Sequence, residues 1–177
     1  MFLLSWLHER EYQCRDMHGG SRNSRARLAY QLEDSALTLA EGLEEYYVAN
    51  VGIVTKPRDL PRESARLFRS HDICHVIFGL NTSLSDEALA DVRTLLSCDV
   101  GFRRYSAYLA QDRQARALFK ELGYMKSISA AALAVPRILR SVVVSWQMRT
   151  KWPWEPPEEF LRRSLHELRV EYGIRVI

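Results

Sequence analysis

Apolar residues that return every three or four positions, with almost no two-residue alternation, constrain this chain more than any other feature. From Arg25 to Tyr47, Leu28, Leu32, Ala36, Leu39, Leu43 and Tyr46 follow that spacing, while Glu33, Asp34, Glu41, Glu44 and Glu45 fall elsewhere around the cylinder. This pattern predicts an amphipathic helix that ends in a loop near Gly52 to Pro57. Asp59, Pro61 and Glu63 then supply a cap, an early proline and a first-turn carboxylate for a second helix running to about Phe78, closed by Gly79. Ser83 or Ser85 caps a third helix that carries Leu89, Val92, Leu95 and Leu96, with Asp86 and Glu87 in or near its first turn. Further helical patterns cover Phe102 to Leu122, Ser127 to Met148 and Pro157 to Tyr172. Pro136 is expected to kink or split the second of these, and Gly173 to close the last. Only Val48 to Val54 and Ile174 to Ile177 read as short extended segments, and no internal repeat is visible. The expected fold is an all-α, single-domain helical bundle over residues 25–177, preceded by a mobile N-terminal segment, residues 1–24.

A length of 177 residues fits one core, and 47% hydrophobic with 27% charged residues excludes disordered and disulfide-dense classes. A net charge of +3 is too weak to argue for nucleic acid without a clustered patch. Cys14, Cys74 and Cys98 show no CxxC spacing and leave an odd thiol, which suits a reducing compartment and reads as packing. Met1 to Leu7 is too short for a signal peptide. Arg10 to Arg27 is Arg- and Ser-rich, but acidic residues in and beside it argue against a presequence. Arg137 and Arg140 break the apolar run Ile128 to Trp146, so a spanning helix is not expected there. These features imply a cytoplasmic chain, one that would not use the acceptor-like Asn81-Thr82-Ser83.

The residues that carry chemistry are His71-Asp72-x-x-His75 and, after eleven further residues, Glu87. Positions 71, 72 and 75 lie within roughly a 100° arc of one helix, close enough to converge on an ion. Gly79 lets the chain turn and Ser83 or Ser85 restarts it, so Glu87 can swing over the same turn from the next helix. Two imidazoles and two carboxylates suit a divalent metal, zinc best, and an open position would make it catalytic. A buried polar network of the same residues remains the alternative. A metal phosphohydrolase would need further His and Asp ligands, for which only His8, His18 and His166 remain among histidines. The echo of secreted phospholipases lacks their disulfides. Asp72 is one methylene shorter than the Glu of HExxH peptidases and is a better candidate for ligand than for general base.

The string His71-Asp72-Ile73-Cys74-His75, the eleven-residue gap to Glu87, and Gly79 four places after the second histidine together resemble the coenzyme Q biosynthesis protein 4 family. The closing run Leu165 to Ile174 is similar to that family's C-terminal segment, and the resemblance covers about Arg25 to the end. One departure is Asp86, where the family has glycine. The resemblance implies an all-helical protein whose metal is held by His71, Asp72, His75 and Glu87, which would also be its catalytic residues. It implies oxidative decarboxylation of a polyprenylated hydroxybenzoate precursor of ubiquinone, in which ring carbon 1 loses its carboxylate and gains a hydroxyl. The alternative is a non-catalytic lipid-binding scaffold that organises the other quinone-biosynthesis enzymes. Those enzymes are expected partners, and a homodimer is compatible with the same reading.

A polyprenyl tail requires an apolar tunnel or a membrane-facing groove. Between Glu121 and Glu155 no acidic residue occurs, while Lys126, Arg137, Arg140, Arg149 and Lys151 stand beside Trp146, Trp152 and Trp154. After Pro136, Arg137, Arg140, Ser141 and Gln147 share one side of a helix, and Ile138, Leu139, Val142 and Trp146 the other. This segment suits peripheral contact with the inner membrane face, or a plain core helix with a solvated side. Arg103, Arg104 and Tyr105 could hold an anionic head group, although a pair of arginines is more often simply solvated.

Overall fold

A computed structural model describes residues 27–51, 62–111 and 124–177; the expected N-terminal segment, Cys14 and Asp59 lie outside these. The described residues form helices and no strand, in the order α1 (Leu39–Ala49), α2 (Arg62–Phe78), α3 (Leu84–Ser97), α4 (Phe102–Gln111), α5 (Tyr124–Trp146) and α6 (Leu165–Tyr172). Short 3₁₀ turns occupy Ala29–Gln31 and Glu158–Arg162. The all-α bundle read from periodicity is therefore the fold. No helix among the described residues is long and apolar enough to cross a membrane.

Three boundaries differ from expectation, each because a side chain or capping contact overrides the pattern. The first helix starts at Leu39 rather than Arg25, since Thr38 and Glu41 form a capping box there. Upstream of it the chain folds back, and the Glu45 carboxylate accepts the backbone N–H groups of Ala29 and Tyr30 at 3.0 and 2.8 Å. The last helix starts at Leu165, where the Ser164 hydroxyl accepts the Glu167 N–H, so Pro157 to Arg163 is a separate 3₁₀ segment. Pro136 does not split its helix, because α5 runs unbroken from Tyr124 to Trp146. Val48 belongs to α1, and Ile174 to Ile177 pair with no strand.

The core forms where α1, α2, the Ala29–Gln31 turn and α6 meet, around Tyr30, Leu39, Tyr46, Ile77, Phe78, Leu165 and Leu168. Burial at this scale contributes about 25 cal/mol for each Å² of apolar surface removed from water. Two devices fix how α2 enters it. Gly79 adopts φ +70° to end the helix, and a β-carbon there would lie 2.7 Å from Val176 Cγ1. Arg169, which is 1% exposed, sends its guanidinium to the carbonyls of Val76 and Ile77 at the end of α2 and to those of Tyr30 and Leu32.

The inner face of α3 is not the expected one. Arg93, Thr94 and Ser97 are buried beside Leu89 and Ala90, while Val92, Leu95 and Leu96 are only partly covered. On α5, Ser141 and Ser145 face inward, whereas Leu139 and Trp146 point to solvent.

Replacing Arg169 with Met should leave the Tyr30 and Ile77 carbonyls without a donor, while those of Val76 and Leu32 keep the N–H groups of Gly79 and Ser35, and cost about 3 kcal/mol. Thermal unfolding should show a Tm lower by roughly 10 °C. Gly79→Ala should cost about 1–3 kcal/mol through the left-handed backbone and the Val176 contact.

Candidate metal centre

His71 and His75 project from one side of α2 because they are one turn apart. Glu87 reaches them because the Gly79 turn and the Ser83 cap, whose hydroxyl accepts the Asp86 N–H at 3.3 Å, begin α3 a few residues later. The Nε2 atoms of the two histidines lie 3.1 Å apart, and each is 3.4 Å from Glu87 Oε2. Three donor atoms at the corners of so small a triangle suit an ion at its centre. A tetrahedral ion with bonds of 2.0–2.1 Å holds its ligand atoms about 3.3–3.4 Å apart. These three residues can hold a metal ion.

Asp72, the fourth expected ligand, stands apart from this group. Its side chain is buried, and its Oδ2 accepts the Tyr47 hydroxyl at 3.0 Å. The imidazole of His75, wholly buried, stacks on the Tyr46 ring with centroids 5.4 Å apart. Among the described residues its Nδ1 has no hydrogen-bond partner, so the stack orients the ring where a carboxylate or carbonyl more often does. The side chains of His71 and Glu87 are 22% and 36% exposed, which leaves the approach to the triangle on their side.

The electrostatics follow from this crowding. Burial alone would lower the pKa of His71, but the hydrogen bond and charge of Glu87, with Asp72 behind, outweigh it and raise it to about 9. Glu87 is pressed the other way: burial raises it, and the two imidazoles hold it well below the usual carboxylate range. Burial pushes the Asp72 carboxyl up to about 6 against the opposing pull of His71, Tyr47 and His75.

Four neighbours of the site were not foreseen. Tyr46 and Tyr47 sit on α1, and only the fold brings them to α2. Asp86 accepts the Asn81 N–H at 2.9 Å and pairs with Arg137 of α5 at 2.6 Å. It thereby ties the α2–α3 loop to α5 next to Glu87. Arg137 thus engages Asp86 while its side chain stays 39% exposed. The signal for that pair was an acidic residue beside a ligand and one of two cations in an apolar run, but nothing in the sequence joined them.

No family model, curated protein or solved structure matches this chain.

Three convergent ligands predict a graded response to substitution. His75→Ala and Glu87→Gln should each weaken metal binding more than a hundredfold, and Asp72→Asn, which touches no ligand atom directly, about ten- to hundredfold. Titration against a competing chelator measures this. Because His71 is protonated in the ion-free protein up to about pH 9, metal uptake at pH 7 should release about one proton and tighten as pH rises toward 9. Calorimetry in buffers of different ionisation enthalpy reads that proton directly.

Proposed function

We propose that this chain is a zinc-dependent protein of ubiquinone biosynthesis that acts on a polyprenylated hydroxybenzoate, releasing the carboxylate of ring carbon 1 as carbon dioxide and placing a hydroxyl there, with dioxygen as the two-electron oxidant, reduced to hydrogen peroxide, and water completing the balance. The observation that carries the reading is the convergence of His71, His75 and Glu87 on one point, at the spacing of the family motif. Two imidazoles and a carboxylate form a nitrogen and oxygen set that favours zinc, and three protein ligands are the number found where a fourth position is kept for substrate. When bound, such an ion supplies Lewis acidity toward the substrate's carboxylate and neighbouring phenolic oxygen.

The chain's own residues divide the remaining work. His71, His75 and Glu87 hold the ion, and the stack on Tyr46 fixes the inner imidazole. His71 and Glu87 border the open side, so the aromatic head of the substrate enters past them. Tyr47 holds the Asp72 carboxylate beside the ion-binding turn, where it screens the imidazole charges.

The prenylated tail belongs at a membrane, and α5 carries a surface suited to one. Val135, Leu139, Val143 and Trp146 repeat at intervals of four, four and three residues, and each is at least 47% exposed. Arg140, Arg149 and Lys151 are exposed near them. That combination favours peripheral contact with an anionic lipid surface on the cytoplasmic side of the inner membrane. Assembly with other quinone-biosynthesis enzymes, and self-association into a homodimer, fit the same location.

Turnover of a short-chain prenylated hydroxybenzoate in air, followed by mass spectrometry of the product, tests the catalytic reading. Glu87→Gln should lower it at least a hundredfold in protein that remains folded. A scaffold gives a different result: no turnover by the native chain, with metal and thermal stability lost together in Glu87→Gln. Vesicles rich in phosphatidylglycerol should carry the native chain in flotation, and Leu139→Asp with Trp146→Asp should reduce the bound fraction about tenfold or more.

A further inference from the structure

Arg93 is a buried cation that the metal centre does not use. It sits on the inner face of α3 with 0% exposure, and among the described residues none of its three guanidinium nitrogens has a hydrogen-bond partner. Its Cζ lies 4.3 Å from the centroid of the Phe78 ring, so the ring covers one face of the guanidinium and leaves its donor edge free. The titratable groups that act on it are, in order, the Cys98 and Cys74 thiols and a single carboxylate. The carboxylate that acts on it is Glu33, which already accepts the Val176 N–H at 2.6 Å and pairs with Arg175. Burial draws the guanidinium down to about 10, which leaves it charged at neutral pH.

Other unsatisfied groups gather along the same face. Ser141 Oγ and Trp152 Nε1 are buried and also without a partner among the described residues, and the Thr94 hydroxyl, likewise buried, bears on the Cys74 thiol. The register of α3 against α5 is fixed at one end by Asp86 with Arg137 and at the other by Ser97 with Ser145, whose hydroxyls are 2.7 Å apart. Ser141, midway between those α5 contacts, therefore lies opposite the turn of α3 that carries Arg93 and Thr94. Trp152 joins the end of α3 through its N–H to the Ser97 carbonyl at 2.8 Å. The guanidinium and the indole can only donate hydrogen bonds, and the two hydroxyls can do so as well. A set of buried donors without an acceptor, one of them cationic, calls for a group that is anionic and rich in acceptors.

We infer that Arg93 anchors an internal binding site for a small oxyanion, a carboxylate or a phosphate, between α3 and α5. The planar donor edge of arginine presents two parallel N–H groups to such an anion, which an ammonium cannot imitate. The hydroxyls of Thr94 and Ser141 and the indole of Trp152 supply further donors from neighbouring elements. The site is distinct from the triangle of His71, His75 and Glu87: Arg93 is six residues beyond Glu87 on α3, about 9 Å along the axis.

The test uses the full chain, treated with chelator to remove metal and exchanged into chloride buffer of constant ionic strength. Thermal unfolding is followed as inorganic phosphate or acetate is raised from micromolar to tens of millimolar. The native chain should gain at least about 2 °C in a saturable manner with one anion or both, and the choice between them identifies the ligand class. Arg93→Met should lose the response, and Arg93→Lys should keep only a reduced one. If either fails to fold, Ser141→Ala and Thr94→Val replace them, with the response expected at higher anion concentration. Native mass spectrometry of the chain as purified should show a bound anion that Arg93→Met lacks. An unresponsive native chain with no co-purified anion would overturn the inference, as would Arg93→Met at or above native stability with its anion response intact. His71→Ala should leave the response unchanged, so a failed metal centre and a failed anion site are read separately.

Discussion

The structure depends on a cation at the end of a helix. Arg169 is buried where the last carbonyls of α2 lie without intrahelical partners, and it satisfies Val76 and Ile77 there together with Tyr30 and Leu32. Positive charge at a helix C-terminus also meets the negative end of the helix dipole. One side chain from α6 thereby joins the 3₁₀ turn near the start of the described chain, the helix of His71 and His75, and the C-terminal segment. Glu33 completes the link by accepting the Val176 N–H. With this end of α2 held, the turn at Gly79 leaves in a fixed direction.

That direction decides the geometry of the candidate centre. The spacing of His71 and His75 belongs to the α-helix itself, so loop changes cannot alter it. Glu87 is the ligand whose position depends on the connection, and the connection is densely tied. Tyr30 donates to the Leu80 carbonyl at 2.9 Å, Thr82 to Asn50 Oδ1 at 2.7 Å, and the Asn81 N–H to Asp86 at 2.9 Å. Contacts to α1, to the first 3₁₀ turn and to α5 converge on a loop of five residues. A carboxylate within 3.4 Å of two imidazoles is the outcome of that loop as much as of the helices.

The residues whose roles rest on local rules were legible in the sequence. Gly79 and Gly173 as helix ends, Ser83 as a cap, Glu87 in a first turn and the two histidines one turn apart all follow from chain-local geometry. The misplaced features share a cause in contacts between distant residues. Leu28, Leu32 and Ala36 continue the helical period, but Glu45 captures the backbone of Ala29 and Tyr30 and the helix never extends over them. Asp72 shares an arc with the histidines, yet a hydroxyl from α1 claims its carboxylate. Periodicity also could not tell how α3 divides its faces, because Arg93, Thr94 and Ser97 are buried beside Leu89 while Val92, Leu95 and Leu96 are only partly covered.

That division separates two halves of the molecule by their energetics. Around α1 and α6 the interior is apolar and aromatic, and its one buried guanidinium, Arg169, is fully engaged. Around α3 the interior mixes Leu89 and Ala90 with hydroxyl, thiol and guanidinium groups, including Cys98 and, from α2, Cys74 with sulfurs 3.7 Å apart, and several of its polar atoms lack partners among the described residues. Apolar residues of similar volume in such an interior are often neutral or stabilising. Stability therefore gives no reason for Arg93 to stand where it does. Glu87 occupies the first turn of the same helix, so α3 carries both the carboxylate of the candidate centre and a buried cation without a hydrogen-bond partner among the described residues.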